Sequence, residues 1–296
     1  MMEADLDGQT LNLGGYEEAL RARMERLEQA NFGPRLWQKD GSLWKKDARS
    51  QEMIPNALGW LTVAEQMEKQ LDDLGKFAAE VRDSGFRHVV HMGMGGSSLA
   101  PMTFKQVLLP SSLSSSGGLT LSILDTTDPA TIRKIENEVP LQETLFIVAS
   151  KSGTTIEPTT FGEYFYAKVK AQKGIRAGEN FVAITDPGSP LVRLANERAF
   201  RRVFLSPVDI GGRFSALSPF GLVPAALAGI RVDDLLSRAR QMIRACGPDR
   251  PIAENPGILL GAVMGELGLQ GRDKITFLLP DSISTLGLWL EQLIAE

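Results

Sequence analysis

The chain has 296 residues, 43% of them hydrophobic and 23% charged, which suffices for one large domain or two modest ones. A net charge of -4 gives no concentrated basic surface for nucleic acid or an acidic membrane. No apolar stretch reaches the roughly 18 residues of a membrane span, and no secretory signal is recognisable, so we expect a cytoplasmic protein. Cys246 is the single cysteine, which excludes an internal disulfide, and two histidines are too few for a His-rich metal site.

The first part of the chain is predicted to be helical. Residues 16–30 place Leu20 and Leu27 at helical spacing among charged residues, which indicates an amphipathic surface helix. Residues 56–77 carry apolar side chains at the same spacing and are predicted to form one long helix. We expect residues 1–80 to form a helical arm.

From residue 88 onward, strand-like and helical stretches alternate regularly. The predicted strands are residues 88–92, 119–124, 144–149, 180–185 and 202–205, and the predicted helices are 98–109, 129–138, 155–172 and 188–199. This alternation is typical of an α/β fold, a parallel sheet with helices on both faces. Such sheets bind ligands beyond the carboxyl ends of their strands. The Ser-rich residues 110–118 are predicted to be an outside connection.

The last part of the chain begins with apolar helices predicted near residues 217–229, 233–245 and 256–269. Residues 274–280 are predicted to form a new strand, followed by a helix with one apolar stripe. Because one strand and one helix cannot close a core, we expect the natural protein to continue past Glu296 into a second α/β domain. The expected boundaries are 81–230 for the first α/β domain, 231–272 for a helical connection and 273–296 for the start of the second domain.

The loop after the first strand, Gly-Met-Gly-Gly-Ser-Ser at residues 93–98, combines glycines with hydroxyl groups. Glycine lets the backbone approach a ligand, and the N–H groups at a helix start favour an anion. We therefore predict an anion site that includes Gly96 and Ser97. The alternative is a plain strand-to-helix turn, but three glycines and two hydroxyl residues are more than a turn needs.

A second loop of this kind, Ser-Lys-Ser-Gly-Thr-Thr at residues 150–155, follows the third strand. Its candidate ligand-binding residues are Ser150, Lys151, Ser152, Thr154 and Thr155. Because the two loops follow strands that we predict to be adjacent, we expect them to hold one phosphate together. The alternative is that Thr154 or Thr155 only caps the following helix.

Residues 93–98 also resemble a dinucleotide-binding fingerprint, with Asp125 at the end of the next strand as a candidate ribose-binding acid. Asp125 lies further downstream than the roughly 20 residues typical of that fingerprint. A dinucleotide site also has no need of a second hydroxyl-rich loop. This alternative is therefore less favoured than a phosphate site.

A third motif, Asp-Ile-Gly-Gly-Arg-Phe-Ser-Ala at residues 209–216, follows the fifth strand. Gly211 and Gly212 let the backbone approach a ligand, and Arg213 would hold a permanent positive charge beside it. A fixed cation at that place stabilises a developing oxyanion. The alternative is that Arg213 pairs with a carboxylate and seals a helix start.

These three motifs and the terminal Trp-Leu-Glu-Gln-Leu-Ile-Ala-Glu resemble the glucose-6-phosphate isomerase family. The regions around Trp44 and Trp60 resemble the isomerase half of bifunctional transaldolase/phosphoglucose isomerases. The resemblance implies a flavodoxin-like sugar-isomerase domain that interconverts glucose 6-phosphate and fructose 6-phosphate through a cis-enediol(ate), without metal or organic cofactor. By the same resemblance, Arg213 would stabilise that intermediate and Glu296 would move a proton between C1 and C2. The phosphate would be held by Ser97, Ser150, Ser152 and Thr155.

The resemblance is incomplete, because the family's ring-opening histidine and its late lysine have no match in this chain. His88 and His91 are instead expected to pack or to form hydrogen bonds in the first strand. We expect the chain to carry the phosphate-binding half of the site and to be inactive alone, and the full-length protein to be a homodimer. A sugar-phosphate-binding domain without catalysis is the alternative.

Overall fold

One sheet of five parallel strands is present in the computed structural model, which describes residues 10–109 and 117–296. The strands are β1 (His88–Met92), β2 (Thr120–Leu124), β3 (Thr144–Ala149), β4 (Phe181–Thr185) and β5 (Arg202–Leu205). Their order across the sheet is β2-β1-β3-β4-β5, and every neighbouring pair is parallel. This is the strand order of flavodoxin-like folds, so the predicted fold class is confirmed.

Helices precede, connect and follow the strands. The α-helices are α1 (Glu17–Gln29), α2 (Phe32–Trp37), α3 (Ala48–Met53), α4 (Val63–Glu68), α5 (Leu71–Asp83), α6 (Leu99–Leu108), α7 (Pro129–Glu138), α8 (Ile156–Lys173), α9 (Pro190–Glu197), α10 (Pro219–Leu227), α11 (Val232–Ala245), α12 (Pro256–Leu269) and α13 (Thr285–Ala295). Short 3-10 helices occur at Gly41–Leu43, Ile54–Ala57, Gly59–Leu61, Gly95–Ser97, Leu141–Glu143, Gly174–Asn180, Gly212–Leu217, Ile252–Glu254 and Asp281–Ile283. Each helix predicted between two strands is present within a few residues of its predicted bounds.

One face of the sheet packs against α7, α8 and α9 around a cluster of aromatic rings. The Phe146 ring of β3 stacks 4.8 Å from Phe165 of α8 and 5.1 Å from Phe181 of β4. All three side chains are fully buried. Each contributes about 1.5–3 kcal/mol by leaving water, which makes this cluster a main source of the fold's stability.

The opposite face of the sheet is covered by α5, α6 and α10. Phe77 of α5 meets Phe204 of β5 edge to face, with ring centroids 5.0 Å apart. Helix α10 packs against β1, α5 and α6. Helices therefore cover both faces, as the alternating sequence pattern predicts.

The helices that follow β2 and β4 begin at fixed points because their first turns are capped. An Asp128 carboxylate oxygen accepts a hydrogen bond of 2.8 Å from the Thr131 amide at the start of α7. Ser189 Oγ accepts one of 3.4 Å from the Val192 amide at the start of α9. Proline opens both helices, where its missing N–H has no cost.

The chain divides into two compact units. One contains the residues up to Leu61 together with Ser237–Leu278, and its core includes Leu20 of α1 with Leu259 and Ala262 of α12. The other contains Thr62–Leu236 and Leu279–Glu296, and it includes the sheet. Within the described residues no helix is long and apolar enough to cross a membrane. The domain boundaries expected from the sequence stay a prediction.

The predicted single helix over residues 56–77 is wrong. Two 3-10 turns, Ile54–Ala57 and Gly59–Leu61, are followed by the separate helices α4 and α5. Gly59 weakens a helix by about 1 kcal/mol relative to alanine. A turn in which the Gln70 amide donates to the Met67 carbonyl, at 2.9 Å, then separates α4 from α5. The apolar spacing over residues 56–77 thus belongs to several short helices rather than to one.

The predicted strand over residues 274–280 is also wrong, because this segment has no regular structure. Its Ile275, Phe277 and Leu278 side chains are exposed, Leu278 to 92%. A strand exists only when its backbone pairs with a neighbouring strand, and none of the described strands pairs with this segment. The expected outside connection at residues 110–118 lies largely outside the described residues.

Candidate functional site

The two hydroxyl-rich loops follow β1 and β3, which lie side by side in the sheet. From β1 the chain crosses to β2 on one side, and from β3 it crosses to β4 on the other. In α/β sheets the ligand crevice opens at this point, beyond the carboxyl ends of the two strands. The predicted adjacency of the loops is therefore confirmed.

The first loop, residues 93–98, is a tight turn that brings its glycines close to neighbouring backbone. Gly95 has a φ of 51°, a value that side chains disfavour. The amides of Ser97 and Ser98 donate to the carbonyls of Met94 and Gly95, at 3.0 and 2.9 Å. Ser98 is fully buried and its hydroxyl donates to the Gly95 carbonyl at 3.2 Å, so it shapes the loop. The partly exposed Ser97 is the hydroxyl that a ligand can reach.

The second loop, residues 150–155, is organised by the buried Ser150. Its Oγ accepts hydrogen bonds from the amides of Gly153 and Thr155, at 3.1 and 3.4 Å. It also donates to Thr155 Oγ1 at 2.9 Å. The exposed Ser152 and Thr154 hydroxyls bond to each other at 2.8 Å. Ser150 therefore holds the loop, while Ser152 and Thr154 face solvent.

Helix capping by Thr155, the alternative left open by the sequence, is not observed. Thr155 occupies the N-cap of α8, but its side chain makes no capping hydrogen bond. Its backbone carbonyl instead accepts a hydrogen bond of 2.8 Å from the Thr159 hydroxyl. The Thr155 hydroxyl bonds to Ser150 and is available to a ligand as a donor.

Lys151 forms an ion pair with Asp186, the residue that follows β4. The Lys151 carbonyl also accepts hydrogen bonds from the Asp186 amide at 3.0 Å and from Thr185 Oγ1 at 3.2 Å. The other Asp186 carboxylate oxygen is buried without a hydrogen-bond partner. Lys151 thus links the second loop to the end of β4, and the Asp186 carboxylate balances its charge. The sequence does not reveal this ion pair.

The Arg213 motif forms the 3-10 helix Gly212–Leu217 and packs directly on the first loop. A Cβ atom on Gly96 would lie 2.4 Å from the Gly212 carbonyl carbon and 2.8 Å from the Arg213 amide nitrogen. The Ser215 hydroxyl bonds to the Gly96 carbonyl at 3.2 Å and to the Gly212 carbonyl at 2.6 Å. Glycine at position 96 is therefore required for this contact.

Arg213 keeps hydrogen-bonding capacity beside the first loop. Its Nε is buried and has no partner, and its guanidinium lies 5.2 Å from the centroid of the Phe214 ring. A buried guanidinium N–H without an acceptor favours an anionic ligand. A structural ion pair, the alternative reading, is absent for Arg213 among the ion pairs of the described residues.

Helix α13 approaches the first loop through Gln292, a residue that the sequence analysis did not select. A Cβ atom on Gly95 would lie 2.5 Å from Gln292 Nε2. Glu296 follows Gln292 by one helical turn, so both lie on the same face of the helix. Glu296 is exposed, and its amide donates to the Gln292 carbonyl at 3.2 Å.

Gln106 of α6 holds the start of α13 in place. Its Oε1 accepts a hydrogen bond of 2.8 Å from the Thr285 amide, and its Nε2 donates to the Asp281 carbonyl at 2.9 Å. These partners are separated by more than 170 positions in the sequence, so no local pattern announces them. The sequence offers one signal for Gln292. It precedes Glu296 by four positions, so a helix places the two side chains on the same face.

Comparison with protein families gives one clear match. The profile of the family described as phosphoglucose isomerase matches residues 49–265, which include both loops and Arg213. The chain belongs to the phosphoglucose isomerase family.

Two members of the phosphoglucose isomerase family illustrate the extent of the similarity. The glucose-6-phosphate isomerase of Carboxydothermus hydrogenoformans is 31% identical over 81% of this chain and 52% of its own length. That of Thermosynechococcus vestitus is 32% identical over 95% of this chain and 53% of its own length. The chain thus spans about half the length of these relatives. A solved structure of a hypothetical protein from Thermus thermophilus has a TM-score of 0.75 at 28% identity, over 95% of this chain and 61% of that one.

In this member of the phosphoglucose isomerase family, most of the residues predicted for the site lie at the edge formed by the carboxyl ends of the strands. The two loops follow adjacent strands, and Gly212 and Arg213 pack on the first loop. Glu296 ends the helix whose Gln292 reaches that loop, and its role stays a prediction. Among the residues that the structure describes, no three His, Cys, Asp or Glu side chains are grouped to hold a metal ion.

Proposed function

We propose that this chain binds the phosphate of a hexose 6-phosphate between residues 93–98 and 150–155. In the whole protein, this binding serves the interconversion of glucose 6-phosphate and fructose 6-phosphate. The observation that carries the proposal is that two glycine- and hydroxyl-rich loops follow adjacent strands at the switch point of the sheet, with the Arg213 motif packed on the first of them. The relatives named above, which are called glucose-6-phosphate isomerases, support it.

The phosphate would be held by hydroxyl and backbone groups rather than by a cluster of cations. Ser97, Ser152 and Thr155 would donate to its oxygens, while Ser150 keeps the second loop in shape. The close approach of backbone at Gly96 and the hydroxyl of Thr154 complete the cradle. Because Lys151 is paired with Asp186, it would contribute at most a shared charge. A phosphate held this way binds alike in ground and transition states.

The chemistry would be a proton transfer next to a carbonyl. Once the sugar ring is open, the hydrogen on C2 is acidic because the resulting negative charge spreads onto the carbonyl oxygen. A carboxylate suffices as the base, and Glu296 would take the proton from C2 and return it to C1. Arg213 would stabilise the enediolate oxygen that develops between the two transfers. Nothing lies within 4 Å of a Cβ position on Gly212, so substrate has room there.

Titration calorimetry of the purified chain tests the phosphate site. Glucose 6-phosphate and fructose 6-phosphate are expected to bind with a Kd of about 1 mM or tighter, equal to about 4 kcal/mol or more. Glucose, the matched ligand without phosphate, is expected not to bind. Equal affinity for glucose and glucose 6-phosphate would contradict the proposal, and tight binding of NAD instead would favour a dinucleotide site.

Two further expectations accompany this proposal. The chain alone is expected to show no isomerase turnover, and a coupled assay of the purified chain tests that expectation. The full-length protein is expected to be a homodimer, and sedimentation analysis tests it. If hexose phosphates bind but the full-length protein has no turnover either, the function is sugar-phosphate binding without catalysis.

A further inference from the structure

His91 lies in the central strand pair and touches the first loop. Its side chain is fully buried in β1, whose neighbours in register are Ile123 of β2 and Ile147 of β3. Its Nε2 lies 2.6 Å from the carbonyl oxygen of Ser97. Because a carbonyl only accepts hydrogen bonds, Nε2 must carry the proton and Nδ1 the lone pair.

The Ser97 carbonyl has a specific need for this donor. Ser97 precedes Ser98, the N-cap of α6, so its carbonyl lies outside the helical hydrogen-bond ladder. The next carbonyl, that of Ser98, receives its helical bond from the Met102 amide at 3.0 Å. His91 therefore donates to a carbonyl that the helical ladder does not include.

The histidine has a cost that an apolar residue would avoid. Its Nδ1 is buried without a hydrogen-bond partner, which destabilises the fold. Burial lowers the pKa of His91 to about 4, although the Ser97 carbonyl acts in the opposite direction. The ring is therefore neutral near pH 7 and donates only through Nε2.

The loop is shaped so that this bond decides where Ser97 lies. A Cβ atom on Gly93 would lie 3.1 Å from the Ser97 carbonyl oxygen, so the chain folds back closely over the end of β1. The Ser97 amide is already bonded to the Met94 carbonyl. Hydrogen bonds hold both the amide and the carbonyl of Ser97, so they fix the backbone that carries the Ser97 hydroxyl.

We propose that His91 is a positioning residue for the phosphate: its bond to the Ser97 carbonyl holds the first loop in the shape that presents the Ser97 hydroxyl to the anion. This inference rests on the function proposed above. It extends that function to a buried side chain that does not touch the ligand.

Two substitutions of similar length separate the hydrogen bond from packing. His91→Gln keeps an N–H donor near the position of Nε2, whereas His91→Met fills similar space without a donor. His88→Met, at the start of the same strand and away from the loop, is the matched control. Titration calorimetry with glucose 6-phosphate measures affinity, and thermal unfolding verifies that each variant is folded.

The expected result is that His91→Met weakens glucose 6-phosphate binding about tenfold, while His91→Gln and His88→Met stay within about threefold of the unsubstituted chain. In ¹⁵N-detected imidazole spectra of the unsubstituted chain, His91 is expected in the Nε2–H form from pH 5 to pH 8. Equal affinity for His91→Met and the unsubstituted chain would overturn the inference, as would equal losses for His91→Met and His91→Gln. An Nδ1–H form would also overturn it. Failure of the unsubstituted chain to prefer glucose 6-phosphate over glucose would instead refute the proposed function.

Discussion

Gly96→Ala is expected to separate the first loop from the Arg213 motif. The added Cβ would lie 2.4 Å from the Gly212 carbonyl carbon and 2.5 Å from its oxygen. Carbon atoms in contact normally stay about 3.5 Å apart, so the two segments would have to move about 1 Å. The opposing atoms belong to the backbone and cannot rotate away, as the end of a flexible side chain would.

The magnitude follows from what this movement breaks. Overpacking of this kind costs typically 1–3 kcal/mol, whereas losing the Ser215 contact with the Gly96 carbonyl adds little, because the one hydroxyl proton is shared with the nearer Gly212 carbonyl. We expect the free energy of unfolding to fall by about 2 kcal/mol. Because a displacement of about 1 Å also moves Ser97 relative to the second loop, we expect the Kd for glucose 6-phosphate to rise at least about tenfold.

Urea unfolding and titration calorimetry measure the two effects on the same protein. Gly75→Ala is the matched control, because a Cβ atom on this residue of α5 would have no neighbour within 4 Å. It should leave binding unchanged and raise the free energy of unfolding by about 0.5–1 kcal/mol. If Gly96→Ala bound glucose 6-phosphate as tightly as the unsubstituted chain, the contact between the loop and the Arg213 motif would have no part in the site.

Three further predictions concern charge at the site and in the core. Arg213→Ala should weaken the binding of a sugar-acid phosphate, whose carboxylate mimics the enediolate, about 10²-fold in calorimetry. It should weaken the binding of glucose 6-phosphate much less. Equal losses of affinity for the two ligands would mean that Arg213 has only a structural role. Asp186→Asn removes the carboxylate that pairs with Lys151 but keeps the hydrogen bond from the residue-186 amide to the Lys151 carbonyl. Glucose 6-phosphate should therefore bind several-fold tighter and with a steeper salt dependence. Weaker binding would mean that the ion pair positions the loop. Burial lowers the His91 pKa from 6.5 to about 4, so the unfolded chain takes up a proton that the folded chain refuses. Between these pH values the folded chain should lose roughly 3 kcal/mol of stability that His91→Met does not lose, and parallel urea-unfolding curves for the two proteins would contradict this.

Much of the sheet could be predicted from the sequence because its signals are local. Each strand is an apolar run that ends in glycine, hydroxyl or acidic residues, and the helices predicted after β2 and β4 lie within a few residues of their observed bounds. The predicted adjacency of the strands that precede the two hydroxyl-rich loops is confirmed by the pairing of β1 with β3. That the glycines at 95 and 96 let the backbone approach a ligand stays a prediction, whereas the structure shows their close contacts with Gln292 and Gly212.

The remaining features depend on residues that are far apart in the chain. Nothing near Lys151 announces its pairing with Asp186, 35 positions later. The bond of His91 to the Ser97 carbonyl also depends on how the first loop folds back over the end of β1, which the sequence does not show. Residues 274–280 have the composition of a strand, but composition cannot show whether a partner strand is present. Local patterns thus predicted the elements, and tertiary contacts decided which side chains are free for a ligand.

The central claim is that residues 93–98 and 150–155 bind one phosphate together. The most direct measurement is a titration of the ¹⁵N-labelled chain with glucose 6-phosphate, followed by amide chemical shifts in both loops. The account predicts that the amides of both loops shift with the same midpoint, and that glucose at equal concentration moves neither set. Shifts confined to one loop, different midpoints for the two loops, or equal shifts with glucose would contradict a shared phosphate site.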